Sequence, residues 1–157
     1  MKINVLFLRR LEPDEVLTKI KNYELKYKNI ESLGQKIGKG NASLDEILEY
    51  LEWRRLLHAY RAYEEGEELD YVVEEVKEES LDSLKEILTK ERLKILIVLG
   101  KEEFESISNL ARYLNRNIKN VYQDLTILQK NGLIRLQRKG RSVTPRLLID
   151  QITLKFR

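Results

Sequence analysis

The sequence predicts a mainly α-helical chain with a small β component, an α+β fold in two parts. Three observations lead there. Ser or Thr stands ahead of several segments whose apolar residues recur three and four positions apart, the pattern of capped amphipathic helices. Near the carboxyl end, Asn131-Gly132 is followed by two short apolar runs, LIRLQ and SVTPRLLI, on either side of a basic turn, RKGR, as in a hairpin. Charge is also unevenly divided: residues 1–89 carry 14 Lys+Arg against 20 Asp+Glu (−6), and residues 90–157 carry 15 against 6 (+9). Such a split separates an acidic part from a basic one suited to a polyanion.

Composition narrows the class. The 157 residues suffice for one domain or two small ones with a buried core. No run of 18 apolar residues occurs, so no membrane span is expected. The start, MKINVLFLRR, is too short and wrongly flanked for a secretory signal. There is no cysteine, hence no disulfide framework and no thiolate metal site, which fits the cytoplasm.

Along the chain, INVLFL within residues 1–10 reads as a short buried strand. Pro13 suits the first turn of a helix, with Val16, Leu17 and Ile20 on one face. Gly34, Gly38 and Gly40 interrupt residues 23–42, where Ile30 and Leu33 belong to a short helix at most. Ser43 and Glu46 form a capping box, in which each side chain accepts the other residue's backbone amide. The helix that follows should reach Glu65 and stop at Gly66.

This helix carries two apolar stripes: Leu44, Ile47, Leu48 and Leu51, and then Tyr50, Trp53, Leu57 and Tyr60. One stripe suffices for a surface helix. Two imply either a central helix of a small domain or cover from a second subunit or partner, with Tyr50, Trp53, Leu57 and Tyr60 as the candidate interface. Residues 67–79, acidic around Leu69, Tyr71, Val72, Val73 and Val76, read as helix.

A second Ser-x-x-Glu, Ser83 to Glu86, precedes Thr89, which caps KERLKILIVLG; Leu93, Leu96 and Ile97 mark the expected buried face, and Gly100 the stop. Ser106 caps a helix over 107–115 with Ile107, Leu110, Ala111 and Leu114 inward. A tight turn at 115–117 leads to a helix over 118–130 with Ile118, Val121, Leu125 and Leu128 inward, closed by Asn131-Gly132.

The order helix, helix, turn, helix, strand, basic turn, strand is that of a winged helix-turn-helix. The expected domains are residues 1–79, a smaller α+β region for oligomerisation or partner binding, and residues 80–157, the winged helix-turn-helix. The major groove of B-DNA, about 12 Å wide, admits one helix, which must bury one face and offer polar groups on the other. Here that polar side offers Asn117, Lys119, Asn120, Tyr122 and Gln123; Asn and Gln can pair with adenine through two hydrogen bonds. Arg138, Lys139 and Arg141 surround Gly140 at the hairpin tip, placed for phosphate, and Arg112 and Arg116 flank the inter-helix turn. The competing view of each is an ordinary solvated helix face or a soluble turn.

SISNLARYLNRNIKNVYQDLTILQKNGLIRL resembles winged helix-turn-helix transcriptional regulators of the MarR-like and ArsR-like kind. The likeness rests on Leu110-Ala111, Val121, Leu125, Leu128 and Gly132-Leu133-Ile134. Lys119-Asn120-Val121 and the closing IDQITLKF are similar to features of small archaeal and bacterial DNA-binding proteins. The resemblance covers about residues 81–157. LGQKIGKGNASLDEILEYLEWRRLLHAY is faintly similar to prokaryotic antitoxins whose Leu-Glu-Trp helix, here Leu51-Glu52-Trp53, lies on a toxin.

The expected function is therefore sequence-specific binding of double-stranded DNA as a transcriptional regulator, as a homodimer on an inverted repeat. One alternative is an antitoxin-like protein whose N-terminal half holds a toxin while the winged helix represses the operon. Another is a protein–protein module without a DNA role. No cofactor or metal is expected: His58 is the lone histidine, and no HExxH, Walker loop, dinucleotide fingerprint or nucleophile elbow occurs. Nothing in the sequence nominates catalytic residues, so no enzyme is expected.

Overall fold

The structure, a computed structural model, describes residues 1–157. It is α+β, with seven helices and antiparallel sheets. The strands are β1 (Lys2–Arg10), β2 (Val72–Ser80), β3 (Ile134–Lys139), β4 (Ser142–Leu147) and β5 (Ile149–Lys155). The helices are α1 (Pro13–Tyr27), α2 (Ile30–Gly38), α3 (Leu44–Glu64), α4 (Leu81–Ile87), α5 (Lys90–Leu99), α6 (Ile107–Tyr113) and α7 (Ile118–Lys130). No helix is long and apolar enough to cross a membrane.

The chain divides into two compact units, but not at the boundary expected near residue 80. Residues 10–72 form one; residues 1–9 and 73–157 form the other. β1 causes the difference. It is the middle strand of the order β2-β1-β5 and pairs antiparallel with β5, from Asn4 opposite Lys155 to Leu8 opposite Gln151, with an irregularity between Leu8 and Arg9. The first residues thus belong with the last. Counted by unit, residues 10–72 hold 10 Lys+Arg against 14 Asp+Glu (−4), and the remainder hold 19 against 12 (+7).

Residues 67–79 are the main correction to the sequence reading. The expected helix is instead β2, over Val72–Ser80, preceded by an irregular stretch. Val72, Val73 and Val76 are β-branched and favour extended backbone, while the acidic residues between them suit an edge strand that must resist pairing with other chains. The cap of α4 is Ser80, whose hydroxyl accepts the Ser83 amide, so Ser83 lies inside the helix.

In the unit of residues 10–72, α1 and α2 pack on α3 around Val16, Ile20, Leu33, Trp53 and Leu56. Trp53 is only 2% exposed and stacks on Tyr23 and Tyr27, with ring centroids 5.6 and 6.2 Å away. The capping box of Ser43 and Glu46 forms as expected. Lys36 and the Ser43 amide hydrogen-bond the Glu46 carboxylate, holding its pKa at about 2. The Tyr27 hydroxyl and then Lys26 likewise hold Glu49 below the ordinary carboxylate range.

In the other unit, Ile95, Leu110, Val121, Leu125, Leu128 and Ile134 lie at the centre of the core. α5 differs from expectation: Ile95 and Leu96 are buried, whereas Leu93 and Ile97 are exposed. Its near-continuous apolar run, LKILIVL, offers no single face from which to choose. Ile118, expected inward, is half exposed at the first position of α7. α6 buries Ile107, Leu110 and Ala111, with Leu114 only partly buried at its C-cap, and α7 buries Val121, Leu125 and Leu128 as expected. Gly132, at φ +74°, turns the chain from α7 into β3, a conformation that suits glycine because a Cβ is strained there.

Candidate functional site

The candidate site is the outer side of α7 and the adjoining hairpin. Leu114 ends α6, Asn115 takes φ +52°, and Asn117 caps α7, so a short turn sets the angle between the two helices. Val121, Leu125 and Leu128 anchor one side of α7 in the core. At about 100° per residue, Lys119, Gln123, Thr126 and Lys130 then fall opposite that anchor. Lys119, Asn120, Tyr122 and Gln123 are all exposed.

The helical geometry ranks these residues. Gln123 and Lys119 lie at the middle of the outward face. Tyr122 lies on the flank shared with Gln129, whose side-chain oxygen accepts the Leu136 amide of β3 at 2.7 Å. Asn120 lies on the opposite flank, shared with Asp124. Asn117 is exposed, but its side-chain oxygen accepts the Lys119 amide at 2.8 Å, so its carbonyl is committed to capping α7.

Asp124 joins α7 to α5. Its carboxylate accepts from Arg92 Nε at 3.1 Å and from Arg116 Nη2 at 2.8 Å, and the Asp124 and Arg92 side chains are only 13% and 15% exposed. Arg92 also donates to the Glu86 carbonyl. Arg116, expected to flank the turn as a candidate phosphate contact, is thus turned inward. Glu91 lies 3.9 Å from its Nε, and its Nη1 is buried without a hydrogen-bond partner. Arg112 is exposed at the end of α6.

β3 and β4 pair in register from Ile134 opposite Leu147 to Lys139 opposite Ser142. Side chains alternate along a strand, so the hairpin has two faces. Leu136 and Val143 pack against the core, and Arg138 shares their face through its pairing with Val143. Lys139 points the other way, with Gln137, Thr144 and the Arg135–Arg146 pair. Arg138, Lys139 and Arg141 are all exposed around Gly140, but Arg138 and Lys139 emerge on opposite faces. Arg135 and Arg146 escaped the sequence reading, because only the register reveals that they face each other. Thr144 donates to the Glu105 carbonyl and steadies β4.

Residues 87–154 match the model of the protein family HVO_A0114. No curated protein and no solved structure matches the chain. The matched segment runs from the end of α4 into β5, so it takes in α7, the hairpin and every candidate residue of this site.

Of the candidates on α3, Trp53 alone is withdrawn from any partner by its burial. Trp53 is interior to the unit of residues 10–72, and Tyr50, Leu57 and Tyr60 are half-buried on the same side of α3. Tyr50 packs toward α2, where its ring lies 3.3 Å from the place a Cβ on Gly34 would occupy. The stripe left outside is the other one, at Leu44, Leu48 and Leu51. No group of three or more His, Cys, Asp or Glu side chains is gathered to hold a metal. His58 is exposed and lines a shallow groove of about 910 Å³ with Leu51, Arg55 and Tyr71.

Proposed function

We propose that the unit built around α5–α7 is a winged helix-turn-helix that binds double-stranded DNA sequence-specifically, and that the protein is a transcriptional regulator. In this reading α7 enters the major groove and the β3–β4 hairpin is the wing on the flanking backbone. The observation that carries it is the outward polar face of α7, with Lys119 and Gln123 at its middle, joined through Gln129 to a hairpin tipped by Arg138, Lys139 and Arg141. The unit's net charge of +7 supports a polyanionic partner.

The parts divide by role. Cations on the hairpin and Arg112 supply phosphate contacts, which dominate affinity and carry no sequence information. Gln123 supplies base choice by bidentate pairing with adenine, and Lys119 reads guanine or grips phosphate. Arg116, held on Asp124, acts within the protein and steadies α7 against α5. As a homodimer the protein would address two half-sites about 34 Å apart, so an inverted repeat is the expected target.

Selection of bound fragments from random duplex DNA tests the proposal. Enrichment of a shared, two-fold symmetric sequence is expected. Failure to retain any duplex at low salt, where phosphate contacts are strongest, would overturn it.

A further inference from the structure

We infer that the groove along the C-terminal half of α3 binds a small zwitterion, with its carboxylate on Arg54, Arg55 and His58 and its amine on Glu67. The inference takes nothing from the DNA reading. The groove, of about 910 Å³, lies between α3 and residues 67–72, so it belongs wholly to the unit of residues 10–72. Pockets for metabolite-sized ligands measure roughly 300–1,000 Å³. Two small residues make the hollow. Positions four and then three apart share one side of a helix, and on this side Arg55 is followed by Ala59 and Ala62. Ala59 and Tyr71, 8% and 7% exposed, form the apolar floor.

Charge selects the ligand. Arg54, Arg55 and His58 line the groove, are exposed, and make no side-chain hydrogen bond or ion pair within the protein. Elsewhere in this unit Arg10, Lys19, Lys26 and Lys36 each have a carboxylate partner. The two arginines lie instead over tyrosine rings, Arg54 at 5.8 Å from the Tyr50 centroid and Arg55 at 5.3 Å from that of Tyr71. Stacking of this kind orders a guanidinium and leaves its N–H groups for an anion. The helix dipole does not account for them. It favours cations in the last turn, whereas Arg54 and Arg55 stand ten and nine residues before Glu64, where α3 ends. His58 is a one-turn neighbour of both, so one carboxylate above it is within reach of all three, and an arginine can meet it through two hydrogen bonds. The facing wall is acidic, with Glu67, Glu68 and Asp70. Arg10 holds Asp70 at 3.5 Å, while the Glu67 carboxylate makes no hydrogen bond or ion pair. A dianion would be repelled from that wall. A carboxylate at one end and a protonated amine at the other satisfy both walls, with the carbon body over Ala59, Ala62 and Tyr71.

Isothermal titration calorimetry of the full chain tests this, with each protein amino acid, 6-aminohexanoate, succinate and inorganic phosphate as probes. At least one zwitterion should bind with a Kd below about 1 mM, and more tightly than succinate or phosphate. Arg54→Gln and Glu67→Gln should each weaken that binding at least about tenfold, while the circular dichroism spectrum of the unliganded chain stays unchanged. Three results would overturn the inference. They are no zwitterion bound at about 10 mM, succinate or phosphate bound more tightly than every zwitterion, and wild-type affinity in either variant. No arm contains DNA, so failure here leaves the proposed function open to its own test, and failure to bind duplex leaves this site standing.

Discussion

Gln129 of α7 and Leu136 of β3 are joined by one hydrogen bond, the Leu136 amide donating to the Gln129 side-chain oxygen at 2.7 Å. This bond fixes the start of the hairpin on the helix that carries the candidate site, seven residues earlier in the chain. Gln129→Ala should cost about 1 kcal/mol, the usual net contribution of one such bond. The Leu136 amide should lose protection in hydrogen exchange while the central amides of α7 keep theirs. Unchanged protection at Leu136 would mean that the core side chains alone hold the hairpin.

A larger effect is expected at Asp124. It accepts from Arg92 and Arg116 at once, and all three side chains are mostly buried. Exchanging the shared carboxylate for a neutral amide leaves one acceptor oxygen between two guanidinium groups, with Glu91 and the Glu86 carbonyl as their other partners. Asp124→Asn should destabilise the protein by roughly 2–4 kcal/mol, since buried charge is then left uncompensated. Glu91→Gln, which removes two longer and more exposed ion pairs, to Arg116 and Lys94, should cost under about 0.5 kcal/mol. Urea titrations of the two variants give the comparison directly.

The acid limb of stability has a predictable sign. Glu46 titrates at about 2 against an ordinary value of 4.5 because Lys36 and the Ser43 amide favour its charged form. The Arg9 guanidinium, with help from Lys77, likewise holds Glu75 low. A carboxylate depressed in the folded state binds fewer protons than in the unfolded one. Its stabilisation is therefore complete above the ordinary value and is lost as pH falls through the folded one. Glu46→Gln should flatten the loss of stability between about pH 4.5 and pH 2 without changing the slope near pH 7. Trp53, the sole tryptophan, reports the unfolding of that unit by fluorescence.

The hairpin cations should act on salt dependence. Exchanging Arg138, Lys139 and Arg141 together for glutamine should weaken binding to every duplex. It should also reduce the slope of log affinity against log salt by about 0.9 for each phosphate that is no longer neutralised. Because Arg138 and Lys139 leave the hairpin on opposite faces, the two single variants should differ, with one carrying most of the change. A triple variant with the wild-type slope would take the hairpin off the DNA.

What the sequence disclosed follows from where the deciding physics lies. Ser43, Thr89 and Ser106 announce helix starts because a cap is a local hydrogen bond between near neighbours. α7 spans Ile118–Lys130, as its spacing predicts, since Asn117 and Asn131-Gly132 bracket it within the same stretch of chain. β2 was illegible because its partner, β1, lies about seventy residues earlier, and the strand reveals itself only through that pairing. The same distance hid the true extent of the two units. On α3 both stripes were visible, but choosing the inward one required Tyr23 and Tyr27, which stack on Trp53 from another helix. At the site, the residue types were legible and their ranking was not, because Arg116 and Asn117 are drawn off by Asp124 and the Lys119 amide.

That ranking gives the sharpest test of the DNA reading. The sequence treats Asn120 and Gln123 as equal candidates for reading bases. The burial of Val121, Leu125 and Leu128 separates them, since it turns Gln123 to the middle of the outward face and Asn120 toward the Asp124 flank. A base reader must reach the groove floor, whereas a flank residue meets the backbone at its edge. Gln123→Ala should cost about 1–3 kcal/mol on the selected site and relax the choice of base at one position. Asn120→Ala should cost less and lower affinity for all sequences alike. Binding measured for both variants on the selected site and on each single-base change of it separates these outcomes. If Asn120→Ala relaxed the choice at one position while Gln123→Ala weakened every duplex equally, α7 would lie in the groove rotated from the orientation its core side implies, and the proposed docking would have to be abandoned.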